Sequence, residues 1–158
     1  LGWKQKILMQ VVVAGIGAAL AGGTPVEMGF LVFWVLFFSN AYNFSDGLDA
    51  LAGGILLAMA LGLVMFGGPL APIGLALAGA AIPFLFVNAP PAKVFMGDVG
   101  SLPIGALLGL CAVKISARYG AGPSAVWGLV MAAELLPVPM QILAVKTIKR
   151  RIFPYTPI

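Results

Sequence analysis

Long apolar runs fill most of this chain, broken at near-regular intervals by Gly/Pro clusters on some boundaries and by polar stretches on others. Matched against the ~20 residues that a helix needs to cross a hydrocarbon core, the runs predict six helices, near 7–21, 26–41, 50–67, 70–87, 101–117 and 124–147. The expected fold class is all-α: a polytopic integral membrane helical bundle, a single membrane domain over 1–158 with the lipid bilayer as its solvent. Gly22-Gly23-Thr24-Pro25, Gly67-Gly68-Pro69 and Gly120-Ala121-Gly122-Pro123 read as tight turns on one membrane side. The loops 42–49 and 88–100 and the tail 148–158 fall on the other. Small residues recur within the helices, as in Gly105-Ala106-Leu107-Leu108-Gly109, a pattern that permits close helix approach in lipid. In the last span Pro137 and Pro139 follow Glu134, so its ladder of backbone bonds should break or kink there.

Composition excludes an ordinary soluble domain, because 61% of the residues are hydrophobic and 9% charged, against roughly a quarter charged in soluble proteins. Charge placement then orients the bundle. Lys4, Lys6, Lys93, Lys146, Lys149, Arg150 and Arg151 lie on the side of the longer loops, and only Lys114 and Arg118 lie opposite. Cations in short loops are retained in the cytoplasm, so the two polar loops are expected to face it, and no nucleic-acid partner is expected. The lone Cys111 can form no internal disulfide and reads as a small packing residue.

The acids carry the next step. Of five, Asp46, Asp49 and Asp98 fall in the two cytoplasmic loops, Asp46 and Asp49 within Asn40-Ala41-Tyr42-Asn43-Phe44-Ser45-Asp46-Gly47-Leu48-Asp49. If the third helix begins around Asp46, Asp46 and Asp49 share one helical face about 5–6 Å apart at Cβ, where a cation would relieve their repulsion. Oxygen donors without any His favour Mg²⁺ or Mn²⁺ over Zn²⁺. The competing reading is a helix cap by Ser45 or Asp46. In the second loop, Lys93-Val94-Phe95-Met96-Gly97-Asp98-Val99-Gly100-Ser101, Asp98 can reach a metal and Lys93 an anion. The N–H groups opening the fifth helix offer a place for phosphate. Phe95 can stack on a planar ring or anchor at the interface, and Asn88 can read a base edge or cap the fourth helix.

Asn40 to Asp49, taken with Pro91-Ala92-Lys93-Val94-Phe95-Met96-Gly97-Asp98-Val99-Gly100-Ser101, resembles the paired cytoplasmic motifs of the polyprenyl-phosphate N-acetylhexosamine-1-phosphate transferases. Phe86 to Asp98 and the ending Arg151-Ile152-Phe153-Pro154-Tyr155-Thr156-Pro157-Ile158 are most similar to the phospho-N-acetylmuramoyl-pentapeptide transferase branch. The resemblance implies transfer of phospho-MurNAc-pentapeptide from UDP-MurNAc-pentapeptide to undecaprenyl phosphate, with Mg²⁺, giving lipid I and UMP in peptidoglycan synthesis. It implies a bacterial inner membrane with a cytoplasmic active face, and it allows a homodimer. By the same resemblance Asp98 is a metal ligand, Asp46 and Asp49 line the catalytic and nucleotide pocket beside Asn43, Phe95 stacks on uracil, and Asn88 contacts the nucleotide.

Family members also carry an adjacent Asp pair upstream of the Trp3-Lys4-Gln5-Lys6 segment and a His-rich motif just beyond the position of Ile158. The resemblance thus covers the middle and later part of a ten-helix protein, and the 158-residue chain by itself is expected to be inactive. Pro137, where relatives tend to have Ser, and Ala50, where many have Gly, are smaller departures. Three rivals remain: a branch that uses UDP-GlcNAc, a small transporter or ion-binding protein in which Asp46, Asp49, Asp98 and Glu134 mark an ion path, and a non-catalytic packing module.

Overall fold

The computed structural model describes residues 2–150 and residue 152, without the side chains at 138 and 139. The tail cation Arg151 and the rest of the 151–158 ending, apart from Ile152, lie outside the described residues. Among the described residues seven helices follow one another: α1 (Trp3–Ala21), α2 (Pro25–Ser45), α3 (Leu51–Phe66), α4 (Ala71–Asn88, preceded by a 3₁₀ turn at Gly68–Leu70), α5 (Gly97–Tyr119), α6 (Ala121–Leu135) and α7 (Pro137–Ile148). Among the described residues five helical segments are long and apolar enough to cross a membrane, and α3 is a shorter apolar helix.

Local chemistry sets the boundaries. Thr24 opens α2 with a capping box, its Oγ1 accepting the Glu27 N–H at 3.3 Å while Glu27 Oε2 accepts the Thr24 N–H at 2.8 Å. Pro25 follows at the first helical position, where its missing N–H matters least. The expected break in the last span occurs at Leu136, between α6 and α7. Pro137 has no N–H to offer the carbonyl one turn back, and it restarts the ladder as the first residue of α7.

The long α2 and α5 pack face to face at the centre, α3 lies along α4, and α1 and α6 flank α2. Close approach of α2 and α5 is possible because Gly105 and Gly109 face the partner. A Cβ on Gly105 would sit 2.7 Å from the Phe38 carbonyl oxygen, and one on Gly109 would sit 2.9 Å from that of Trp34. With lipid outside as apolar as the side chains inside, such packing rather than water exclusion holds the helices together. Phe38, Tyr42, Leu56, Leu108 and Met131 are fully buried in the central cluster.

Two boundaries near the polar loops depart from the sequence expectation. Helix α2 continues through Asn43 and Ser45, and α5 starts at Gly97 rather than 101. The reason is shared: the polar residues at these ends face each other inside the bundle. Ser39 donates to the Leu102 carbonyl at 2.8 Å, and Asn43 donates to Ser101 Oγ at 2.7 Å.

Candidate functional site

The end of α2, the 46–50 turn, the end of α4, the 89–96 loop and the start of α5 meet at one end of the bundle. Asp46 and Asp49 do not share a face of α3, which begins only at Leu51; Asp46 caps the C-terminal end of α2 and Asp49 lies in the following turn. Their separation in the chain instead lets them hold the second loop at two points. Asp46 Oδ1 accepts the Met96 N–H at 3.0 Å, Asp46 Oδ2 accepts the Gly97 N–H at 2.6 Å, and Asp49 Oδ2 accepts the Ala92 N–H at 3.0 Å.

Asp46 is 7% exposed, and both its carboxylate oxygens accept backbone N–H groups. A carboxylate on the first N–H groups of a helix also meets the positive end of the helix dipole. Of the N–H groups at the start of α5, where a phosphate was expected, those of Met96 and Gly97 are taken by the chain's own carboxylate. The cap expected from Ser45 or Asp46 at the third helix is not made, since α3 opens at Ala50 without a side-chain cap; Asp46 instead accepts from the start of α5, fifty residues away.

Asn88 is fully buried. Its Nδ2 donates to the Val94 carbonyl at 2.9 Å, its own carbonyl accepts the Ala50 N–H at 2.9 Å, and its Oδ1 has no hydrogen-bond partner. In this arrangement Asn88 ties the two loops together. Ala50 takes a left-handed backbone, φ 60°, to reach it. That conformation strains an L side chain and suits Gly, so the Ala50 departure has a physical consequence.

The Asp98 side chain itself is half-exposed. Asn43 Nδ2 donates to Asp98 Oδ1 at 3.2 Å, and Ser101, which shares the same Asn43 amide, donates to the Gly97 carbonyl at 2.8 Å. Lys6, from the first turn of α1, forms an ion pair with Asp98, whose side chain stays 42% exposed. Lys93, Asp49 and Phe95 are exposed at the same end of the bundle. Lys6 is the residue that the sequence reading left as a topology cation. The first helix is expected from residue 7 and starts at Trp3, and this longer helix places Lys6 in its first turn, where an anion nearby offsets the helix dipole.

Among the described residues, no three of His, Cys, Asp and Glu converge as a metal cage. Asp46 is committed to backbone N–H groups, which leaves Asp98 as the accessible carboxylate with side-chain partners at this end. Glu134, on α6 away from the loops, has no cationic partner among the described residues.

The family model for glycosyl transferase family 4 matches residues 1–116, which include every residue of this loop assembly. The chain belongs to glycosyl transferase family 4. Similar curated proteins are the phospho-N-acetylmuramoyl-pentapeptide-transferases of Limosilactobacillus reuteri, 34% identical over 98% of this chain and 53% of the relative, and of Pelotomaculum thermopropionicum, 37% identical over 90% and 46%. That of Deinococcus radiodurans is 36% identical over 97% of this chain and 51% of its own length. The chain spans about half the length of these family 4 relatives.

Proposed function

We propose that the protein carrying this chain is a phosphoglycosyl transferase of the bacterial inner membrane that moves phospho-MurNAc-pentapeptide from UDP-MurNAc-pentapeptide to undecaprenyl phosphate. The observation that carries the reading is half-exposed Asp98 held between Asn43 and Lys6 at the end of the bundle that also presents Asp49, Lys93 and Phe95. The named relatives, phospho-N-acetylmuramoyl-pentapeptide-transferases, support this choice of substrate. In the step, an oxygen of the lipid phosphate attacks the phosphorus nearest the sugar. The bond from that phosphorus to the bridging oxygen breaks, and UMP leaves with the bridging oxygen.

The donor set suits Mg²⁺, which uses one or two carboxylates and takes its other ligands from phosphates and water. Asp98 would hold the ion and Lys6 would have to give way to it. When bound, Mg²⁺ would neutralise the pyrophosphate and the charge developing on UMP. The chain's own groups do the rest. Phe95 offers a face for the uracil, Lys93 a charge for a phosphate, and Asp49 an acceptor at the nucleotide side. Asp46 and Asn88 are positioning residues that keep the 89–96 loop at the right height. Because phosphoryl transfer depends on placement and electrostatics more than on covalent chemistry by the protein, that positioning matters to rate.

The test is UMP release by the complete protein in detergent with undecaprenyl phosphate, Mg²⁺ and either UDP-MurNAc-pentapeptide or UDP-GlcNAc. Release with the muramoyl donor alone is expected. Release with UDP-GlcNAc would reassign the donor, and release with neither would overturn the reading.

A further inference from the structure

At the membrane face opposite the acidic loops, Lys114 and Arg118 stand one turn apart on α5, both exposed. They are the cations that the charge asymmetry leaves on the wrong side. Neither has a carboxylate partner, the ion pair among the described residues being Lys6 with Asp98. The acid on their own face, Glu27, is committed to the Thr24 N–H and hydroxyl at 2.8 and 2.9 Å.

Directly along the same face of α5 lie Leu107, Leu110 and Cys111, at helical spacings that place them in line beneath Lys114 and Arg118. With Leu70 and Ile73 from the facing turn and α4 they wall a cavity of about 530 Å³, and both cations border it. From Leu107 to Arg118 the helix rises about 16 Å. Arg118 is also held in place. Its guanidinium lies 5.5 Å from the Tyr119 ring centroid, and Tyr119 in turn donates to the Phe66 carbonyl at 2.7 Å. Its Nη1 closes to 3.0 Å from where a Cβ on Gly68 would be.

A slot that is apolar along its length and doubly cationic at its rim is complementary to an amphiphile with an anionic head. We propose that this cavity is an anionic phospholipid site, with the headgroup phosphate between Lys114 and Arg118 and an acyl chain along Leu107, Leu110 and Cys111. The site stands apart from the loop assembly and does not rest on the proposed transferase reaction.

The experiment takes the complete protein, delipidated in detergent, and follows its thermal unfolding with added phosphatidylglycerol, phosphatidylcholine of the same chains, or inorganic phosphate. Phosphatidylglycerol should raise the midpoint by several degrees, and the other two should not. The shift should vanish in K114Q/R118Q and survive in K114R/R118K. An equal shift with phosphatidylcholine, an equal shift with inorganic phosphate, or a shift retained in K114Q/R118Q would each overturn the site. Should K114Q/R118Q fail to fold, phosphatidylglycerol with a photoreactive group in its acyl chain decides on the unmodified protein. Labelling within 69–73 or 107–118 supports the proposal, and labelling confined to other segments contradicts it.

Discussion

Asp46 and Gly97 are joined at 2.6 Å, carboxylate oxygen to backbone N–H, and this contact fixes the end of α2 to the beginning of α5. It determines where Asp98, the next residue, is presented. An Asn at position 46 offers one oxygen and one N–H₂ where two N–H donors must be met, so Asp46→Asn should leave one donor opposed. The expected loss is about 1.5–3 kcal/mol of stability, with turnover falling by ~10²-fold through misplacement of the loop. Thermal unfolding and UMP release measured on the same preparation check it; unchanged stability would show that the contact is not holding the loop.

Asp98→Asn should behave in the opposite way. The Lys6–Asp98 pair has side chains 36% and 42% exposed, so its loss should change stability by under ~1 kcal/mol. If Asp98 acts on the reacting phosphates, turnover should fall by about 10²–10³-fold or more. Near-wild-type turnover would remove Asp98 from the mechanism.

Ala50→Gly should stabilise the protein. At φ 60° the Ala side chain is strained by about 1–2 kcal/mol, less the entropy that Gly adds to the unfolded chain. The net gain expected is about 1 kcal/mol, read as a higher denaturation midpoint, and a lower midpoint would contradict the left-handed backbone at this position.

Two glycines in helices should part company when given a methyl group. Gly105→Ala drives a Cβ to 2.7 Å from the Phe38 carbonyl and the Ser39 Cα, whereas a Cβ on Gly54 meets nothing within 4 Å. The first should destabilise by about 1–3 kcal/mol, and the second should be neutral or stabilise by up to about 1 kcal/mol. Equal effects in unfolding experiments would argue against the tight α2–α5 contact.

Much of the fold was legible because apolar runs bounded by Gly and Pro translate directly into spans. The helix ends at the site were less so. Asn43 and Ser45 read as loop because they are polar, yet both lie in α2, with Asn43 bonded to Asp98 and Ser101 and Ser45 to the Ala41 carbonyl. The spacing of Asp46 and Asp49 suggested a shared helical face, but the donors to their carboxylates are backbone N–H groups of the 92–97 segment, distant in sequence and without a side-chain signature. The same limit hid Asn88, whose role is to bond Val94 and Ala50. Lys6 lies just ahead of the span expected from residue 7, so neither its place in the first turn of α1 nor its partner was legible.

The central claim is transfer of a sugar together with its phosphate. The most direct measurement uses UDP-MurNAc-pentapeptide labelled with ³²P at the phosphate next to the sugar, with undecaprenyl phosphate, Mg²⁺ and the complete protein. The account predicts label in the butanol-extracted lipid and unlabelled UMP in the water phase; labelled UDP in the water phase, with an unlabelled lipid product, would contradict it.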